Sequence, residues 1–444
     1  MPIIEKGLKL NFHISVLEVF MDKIVLHGGT KLSGKVDISG AKNAALPLMA
    51  TALLTNNEIL LENIPRLGDV GSMCELLRGV GVEIYDSLQD SGGLRLSCEE
   101  ITNTEAPYDI VRKMRASILI LGPLIARCGE ARVSLPGGCA IGNRPVDLHL
   151  NALMQMGAQI DLSRGYVEAK IQGEKRLQGA RINFPMVSVG ATENLMLAAT
   201  LAKGETELLN VAREPEIVNL AECLIKMGAE IEGHGTDTIY IQGKDALSGT
   251  THSVISDRIE AGTFAIAACI TGGKLELIGA NSNDLRAMLD VLLASGAKIE
   301  EHSWGLLIEG PGDKPEAVDI MTDPYPGFPT DLQAQVMAYM TRVKGASMIT
   351  ETIFENRFMH VPELNRMGAN INVYNSTALI RGVKNLMGAP VMATDLRASV
   401  SLVLAGLAAT GETTINRIYH LDRGYENLVS KLRACGATID RVRA

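Results

Sequence analysis

The sequence predicts an α/β protein of two domains, each made of three β-α-β-α-β-β units with pseudo-threefold symmetry. Three observations carry this expectation. The pattern Leu-x-x-x-Gly-[Ala/Val]-x-Ile recurs six times, with its glycine at 81, 157, 228, 296, 368 and 436. The length of 444 residues exceeds what one hydrophobic core usually supports. Five copies run on into a closing strand ending in Gly, such as 240–243 or 307–310, whereas the sixth stops at Ala444.

Each element follows from local pattern. A strand at 24–28 stands alone at the front of the chain and is expected to complete the sixth unit. The C-terminal domain then comprises 21–41 plus 255–444, the N-terminal domain 42–254, and the chain crosses between them twice. Residues 1–20 form an extension to which no role is assigned. Ala-, Leu- and Met-rich helices are predicted at 43–54, 115–126, 191–202, 261–270, 332–341 and 396–409. Each is followed by a turn (Asn57, Gly129, Gly204, Gly273, Gly345, Gly411) and a short strand such as 132–135. Leu77 and its counterparts then close a second helix, the repeat glycine caps it, and the Ile begins a strand.

Composition excludes several classes. Lys+Arg 42 against Asp+Glu 51 leaves a net charge of −9, which argues against non-specific binding to nucleic acid or an anionic membrane. Seven scattered cysteines without a CxxC pair read as reduced thiols of a cytoplasmic protein. No apolar run approaches the ~18–20 residues of a membrane span, and residues 1–20 lack a signal-peptide pattern. No His/Cys/Asp/Glu set has metal-ligand spacing and no dinucleotide or phosphate-loop fingerprint occurs, so neither metal nor cofactor is expected.

Function is expected where the repeat departs from itself. From turn residue to repeat Leu the distance is 19 to 21 residues in five copies but 24 in the second (129 to 153). The surplus falls in Pro-Gly-Gly-Cys139-Ala-Ile-Gly-Asn-Arg144-Pro145-Val146-Asp147-Leu148-His149. A glycine pair lets backbone take positive φ, and Arg144 offers a rigid fork for phosphate or carboxylate. Cys139 among glycines beside an arginine is a candidate proton donor or nucleophile, the alternative being a small buried hydrophobe. Arg144 could instead pair with Asp147. Charged residues recur where the long helices begin: Lys42 with Asn43, Arg115, Glu193, Glu260, Asp331, and Asp395 with Arg397. Free N–H groups at such ends suit anions, and cations placed there call for one. Asp331, held by Tyr-Pro-Gly-Phe-Pro-Thr, is a candidate general base or else a helix cap, as is Asp395. Arg423 sits in the loop equivalent to that of Cys139, with a pair to Asp422 or Glu426 as the alternative.

From about Met21 onward the chain resembles the UDP-N-acetylglucosamine enolpyruvyl transferase (1-carboxyvinyltransferase) family. The motifs are Ser39-Gly-Ala-Lys42-Asn43-Ala-Ala-Leu-Pro47, Met114-Arg115-Ala-Ser117, the 136–149 loop, Val187-Ser188-Val189-Gly190-Ala-Thr192, Tyr325 to Asp331, Glu351-Thr-Ile353-Phe354-Glu-Asn356-Arg-Phe and Asp422-Arg423-Gly. The resemblance implies two inside-out α/β domains closing on substrate. It implies transfer of enolpyruvyl from phosphoenolpyruvate to the sugar 3-hydroxyl, the first committed step of bacterial peptidoglycan synthesis, by a cytoplasmic enzyme expected to be a monomer. By resemblance Cys139 donates a proton and can bind phosphoenolpyruvate covalently. Lys42, Asn43, Arg144 and Arg423 hold phosphoenolpyruvate, supported by Arg397 and Asp395, and Asp331 takes the hydroxyl proton. Arg115, Arg144, Pro145, Val146, Asp147, Leu148, Ser188, Val189 and Ile353 contact the UDP-sugar, with Phe354 nearby. Met186 departs from the pattern, since some members carry Lys there. Two rivals are a 5-enolpyruvylshikimate-3-phosphate synthase, which works without this cysteine, and a non-catalytic UDP-sugar sensor.

Overall fold

The structure is a computed structural model that describes residues 22–86, 93–112, 114–135, 146–173, 176–312 and 315–443. Cys139, Arg144 and Pro145, and the extension 1–20, lie outside the described residues.

Six four-stranded sheets repeat one topology among the described residues. In the third, Arg181–Asn183 runs parallel to Glu205–Leu209, followed by antiparallel Thr238–Gln242 and Glu230–Glu232. Glu205–Leu209 and Thr238–Gln242 alternate buried and accessible residues, so one face of the sheet packs inward. The helices behind the sheets are the reverse: Val189–Ala199, Arg258–Thr271 and Leu396–Ala408 are buried nearly all round. A helix with apolar or small residues on every side must lie inside. Helices within and sheets without give the inside-out arrangement.

Two hydrophobic cores result, one drawn from residues 41–254 and the other from 24–38 with 259–439. Lys23–His27 lies between Glu412–Asn416 and Thr438–Val442, antiparallel to both. Each core also takes an edge strand from beside a crossing. Ser33–Asp37 pairs in parallel with Lys274–Ile278, and Thr250–Ser253 with Ile59–Glu62. The crossings hold each other: Gly40 bridges Ser256, the Ala41 amide donates to the Ile255 carbonyl (2.7 Å) and that of Asp257 to Ser39 (2.8 Å). Lys431 Nζ clamps this joint, donating to Ser39 Oγ (2.7 Å) and Glu260 Oε1 (2.8 Å).

The repeat glycines all adopt positive φ, from 91° at Gly368 to 110° at Gly81, the left-handed turn that ends the second helix of each unit. Helix boundaries differ from expectation where proline intervenes. The helix expected at 43–54 is α only over Lys42–Ala50 and tightens to 3₁₀ over Thr51–Leu54, and Pro47 cannot donate to the Asn43 carbonyl. The helix expected at 115–126 opens as 3₁₀ over Arg115–Ile120 and becomes α at Leu121–Cys128, with Pro123 in the first turn where its missing N–H is not needed.

Candidate active site

Asp331 lies in a single 3₁₀ turn, Thr330–Leu332, capped by Pro329. Its carboxylate does not cap that turn; two guanidinium groups hold it. Oδ1 accepts from Arg357 Nη2 at 2.7 Å, and Oδ2 accepts from Arg397 Nη2 at 3.0 Å and Nε at 3.2 Å. Burial alone would raise the Asp331 carboxyl, but Arg397 and Arg357, with Lys42 beyond them, hold it well below the usual carboxylate range. Arg397 stands in the first turn of Leu396–Ala408, and Asp395 caps that helix by accepting from the Arg397 and Ala398 amides at 2.9 and 3.0 Å. The cap reading, open for both aspartates, thus holds for Asp395 and fails for Asp331.

Lys42, first residue of its helix, meets a carboxylate that local pattern did not single out. Its Nζ is 3.2 Å from Asp69 Oδ2, and Arg423 Nε donates to Asp69 Oδ1 at 2.8 Å. Burial raises the Asp69 carboxyl, yet Lys42 and Arg423 outweigh it and hold it below its ordinary range. The alternatives for Arg423 do not form: Asp422 takes Arg441, and Glu426 Oε1 accepts from the Arg66 amide at 3.1 Å. Asp69 belongs to the first core's elements and Arg423 to the second's, so this pair joins the two bodies beside Lys42. A second joint, Arg258 Nε to Glu216 Oε1 at 3.0 Å, is almost wholly buried.

A separate group gathers around His149. Arg115 lies close enough to reinforce what burial does to that imidazole, whose pKa is pushed down to about 4. His149 Nδ1 is 3.0 Å from Asn194 Nδ2, and a Cβ on Gly190 would sit 3.5 Å from its ring. Ser188 caps Val189–Ala199, its Oγ accepting from the Ala191 amide at 3.4 Å. Val146 caps Asp147–Gln155 by backbone alone. Val146 and Leu148 pack on the first core while Asp147 is exposed. Two helix N-termini and an arginine therefore converge here, a set suited to phosphates. Ile353 and Phe354 follow Glu351, whose Oε1 accepts both their amides at 2.9 and 3.1 Å.

The structure brings Lys42, Asp331, Arg397, Asp395 and Arg423 into one charged centre and Arg115, Val146, Leu148, Ser188 and Val189 into a second group around His149. Asn43 lies on the first turn beside Lys42 and is half-buried. Asp69 and Arg357 are the members that sequence reasoning missed. Arg357 lies within the motif Glu351 to Phe358, whereas Asp69 has the look of any acidic residue in a first helical turn.

Paired inside-out α/β bodies with cations and helix N-termini at their junction define a class of two-body proteins whose junction suits an anionic ligand. The family description EPSP synthase (3-phosphoshikimate 1-carboxyvinyltransferase) matches residues 26–432, and the chain belongs to this enolpyruvyl transferase family. Among relatives, the UDP-N-acetylglucosamine 1-carboxyvinyltransferase of Granulibacter bethesdensis is 61% identical over 424 residues, covering 95% of this chain and 100% of the relative. That of Rhodospirillum centenum is 60% identical over 430 residues, covering 95% and 99%. Among solved structures, the enolpyruvyl transferase NikO from Streptomyces tendae aligns with TM-score 0.85 at 25% identity, covering 95% of this chain and 99% of that one. An EPSP synthase from Acinetobacter baumannii shares the fold, with TM-score 0.73 at 19% identity over 95% and 100%.

Proposed function

We propose that this enzyme transfers the enolpyruvyl group of phosphoenolpyruvate to the 3-hydroxyl of UDP-N-acetylglucosamine with release of phosphate, the first committed step of peptidoglycan synthesis. The observation that carries the choice of acceptor is identity of 61% along the whole length of a relative named for that substrate. The EPSP synthase alternative rests on the family description that matches residues 26–432 and on a structure at 19% identity, which speaks to the fold alone; against it stands the Gly-Gly-Cys139 loop, without which that family works.

In this reading the regions 42–254 and 21–41 plus 255–444 are domains that close on substrate, and the joint at Gly40 and Ser256 is their hinge. Lys42, Asn43, Arg423 and Arg144 hold phosphoenolpyruvate, with Arg397 and Asp395 supporting that end of the site. The Arg115, Val146–Leu148, Ser188 and Val189 group contacts the sugar nucleotide, its helix N-termini suited to the diphosphate, and Ile353, on the loop tied through Glu351 to Thr330, contacts it beside Asp331. Asp331 accepts the proton of the sugar 3-hydroxyl as that oxygen bonds to the enol carbon, while Cys139 delivers a proton to the methylene carbon. The adduct then loses phosphate and a methyl proton, restoring the vinyl group. Each charge-assisted hydrogen bond contributes roughly 1.5–3 kcal/mol, so several cations are needed to offset desolvation of a trianion. No described helix is long and apolar enough to cross a membrane. In this reading the enzyme is cytoplasmic, as seven scattered thiols without a CxxC pair suggest, and acts as a monomer.

A phosphate-release assay tests the proposal. Release is expected only with both UDP-N-acetylglucosamine and phosphoenolpyruvate. Full activity with shikimate 3-phosphate in place of the sugar nucleotide overturns the acceptor assignment.

A further inference from the structure

We infer that Arg357 is the residue that positions Asp331 for proton transfer, fixing Oδ1 so that Oδ2 is the oxygen that takes the proton. The inference rests on the reading of Asp331 as base and adds which atom acts and what orients it.

The two arginines on Asp331 are built differently. Arg357 is 5% exposed and committed to the protein on both terminal nitrogens. Its Nη2 donates to Asp331 Oδ1 at 2.7 Å and its Nη1 to Thr330 Oγ1 at 2.8 Å. Thr330 is braced in turn, its hydroxyl lying 2.9 and 3.0 Å from the oxygens of buried Glu351. Glu351 also accepts from Thr322 Oγ1 and from the Ile353 and Phe354 amides. Arg357 thus rides on the same short loop that carries Ile353, and its guanidinium carbon stacks 5.4 Å from the Phe354 ring. Moving it would break a chain of buried bonds.

Arg397 is also buried, at 3% exposure, but only part of its fork is used. Nε and Nη2 go to Asp331 Oδ2, while Nη1 has no partner in hydrogen-bond geometry among the described residues, although the guanidinium also lies against Tyr425, its carbon 5.4 Å from that ring. A guanidinium with an unused buried donor can turn toward an incoming anion and release part of its hold on Oδ2. Arg357 has no such freedom. When the anionic substrate arrives, Oδ1 therefore stays anchored and Oδ2 becomes available to the sugar hydroxyl. The O–H bond breaks, its proton goes to Oδ2, and its electron pair remains on the attacking oxygen. The other charges that face Asp331 are Lys42 from the first core and Arg258 from the helix Arg258–Thr271.

The test combines kinetics with a complex. In Arg357→Gln, kcat should fall at least about tenfold with KM for UDP-N-acetylglucosamine within about threefold, because orientation and not binding is lost. The acid limb of the kcat profile should move to higher pH, since a cation beside the base is gone, and Arg357→Lys should bring the limb part of the way back. A limb and kcat that stay in place overturn the inference. Should Arg357→Gln fail to fold, the wild-type enzyme with bound UDP-N-acetylglucosamine decides. The 3-hydroxyl is expected about 3 Å from Oδ2 with Arg357 still on Oδ1; a hydroxyl on Oδ1, or Arg357 displaced, overturns it. Asp331→Asn separates the two readings. Wild-type turnover in that variant removes the base itself. Lost turnover with UDP-N-acetylglucosamine still bound, beside an unaltered Arg357→Gln, removes only the role of Arg357.

Discussion

Asp69 and Arg423, 354 residues apart in sequence, meet at 2.8 Å across the junction of the two cores. The same carboxylate holds Lys42 at 3.2 Å, so one acidic side chain sets the places of two cations at helix or loop ends. A substrate anion entering here finds cations already oriented, and little reorganisation is needed at the moment of reaction.

Replacing Asp69 with Asn should therefore act on phosphoenolpyruvate and not on the sugar nucleotide. The expected outcome is a KM for phosphoenolpyruvate raised about tenfold or more, with KM for UDP-N-acetylglucosamine changed less than about threefold. Breaking a fully buried ion pair costs about 3–5 kcal/mol. Arg423 is 41% exposed, so solvent screening reduces the expected loss of stability to about 1–3 kcal/mol. Steady-state kinetics and urea unfolding of the same preparation check both numbers. Equal rises in the two KM values would place Asp69 in general packing.

His149 provides a pH signature. Burial, then Arg115, pushes its pKa down to about 4 in the folded protein, while an unfolded histidine titrates near 6.5. Between those values the unfolded chain binds the proton and the folded one does not. Its contribution to stability is thus intact above about pH 6.5 and declines as pH falls toward 4. The full difference corresponds to roughly 3 kcal/mol. His149→Gln should flatten the slope of unfolding free energy against pH across that window by up to one proton. An unchanged slope would mean that the imidazole is not held neutral.

Much of this architecture was legible because packing repeats. The glycines at 81, 157, 228, 296, 368 and 436 all need positive φ, and a conformational demand repeated six times leaves a periodic mark. Lys42, Arg397 and Asp331 were legible because a cation at a helix start, or an aspartate behind two prolines, is unusual locally. Asp69 was not, because an acid in a first turn is ordinary and only its partner 354 residues away makes it special. Arg357 failed for a related reason: its meaning lies in the two nitrogens given to Asp331 and Thr330, contacts that no spacing within 351–358 encodes. The pairing of the edge strands was also hidden, since Ser33–Asp37 and Thr250–Ser253 each pair, within their own core, with strands more than 190 residues away.

The joint between the cores predicts a hinge phenotype. A Cβ on Gly40 would stand 1.8 Å from the Asn63 carbonyl oxygen, a backbone atom that cannot step aside cheaply. Gly40→Ala should destabilise by at least about 1–3 kcal/mol and displace Lys42, two residues on. Lys431→Met is a second probe that keeps the backbone and most of the side-chain stem but removes the bonds to Ser39 Oγ and Glu260, leaving that buried carboxylate without its cation. It should leave a folded protein whose kcat/KM for phosphoenolpyruvate falls about three- to tenfold. Differential scanning calorimetry and initial rates are the measurements. Wild-type rates in a destabilised Lys431→Met would confine the clamp to stability.

Selective alkylation tests the reactive thiol. An epoxide analogue of phosphoenolpyruvate is opened by a thiolate: the sulfur bonds to the epoxide carbon, the C–O bond breaks, and the oxygen takes a proton. Only a cysteine that is both accessible and ionisable reacts quickly. Among the described residues, Cys74, Cys98, Cys223, Cys269 and Cys435 are buried and Cys128 is partly so. Burial raises the pKa of the Cys98, Cys128, Cys269 and Cys435 thiols and pushes that of Cys223 up to about 12. Cys139, between Gly138 and a loop carrying Arg144, is the one whose sequence neighbours favour the thiolate. Peptide mass spectrometry should find a single adduct on Cys139, formed faster with UDP-N-acetylglucosamine present because closure brings the cations to the analogue's anionic end. Cys139→Ser should remain unlabelled under the same conditions. An adduct on Cys128, or a rate indifferent to the sugar nucleotide, would detach the thiol from the site that Lys42, Arg397 and Arg423 define.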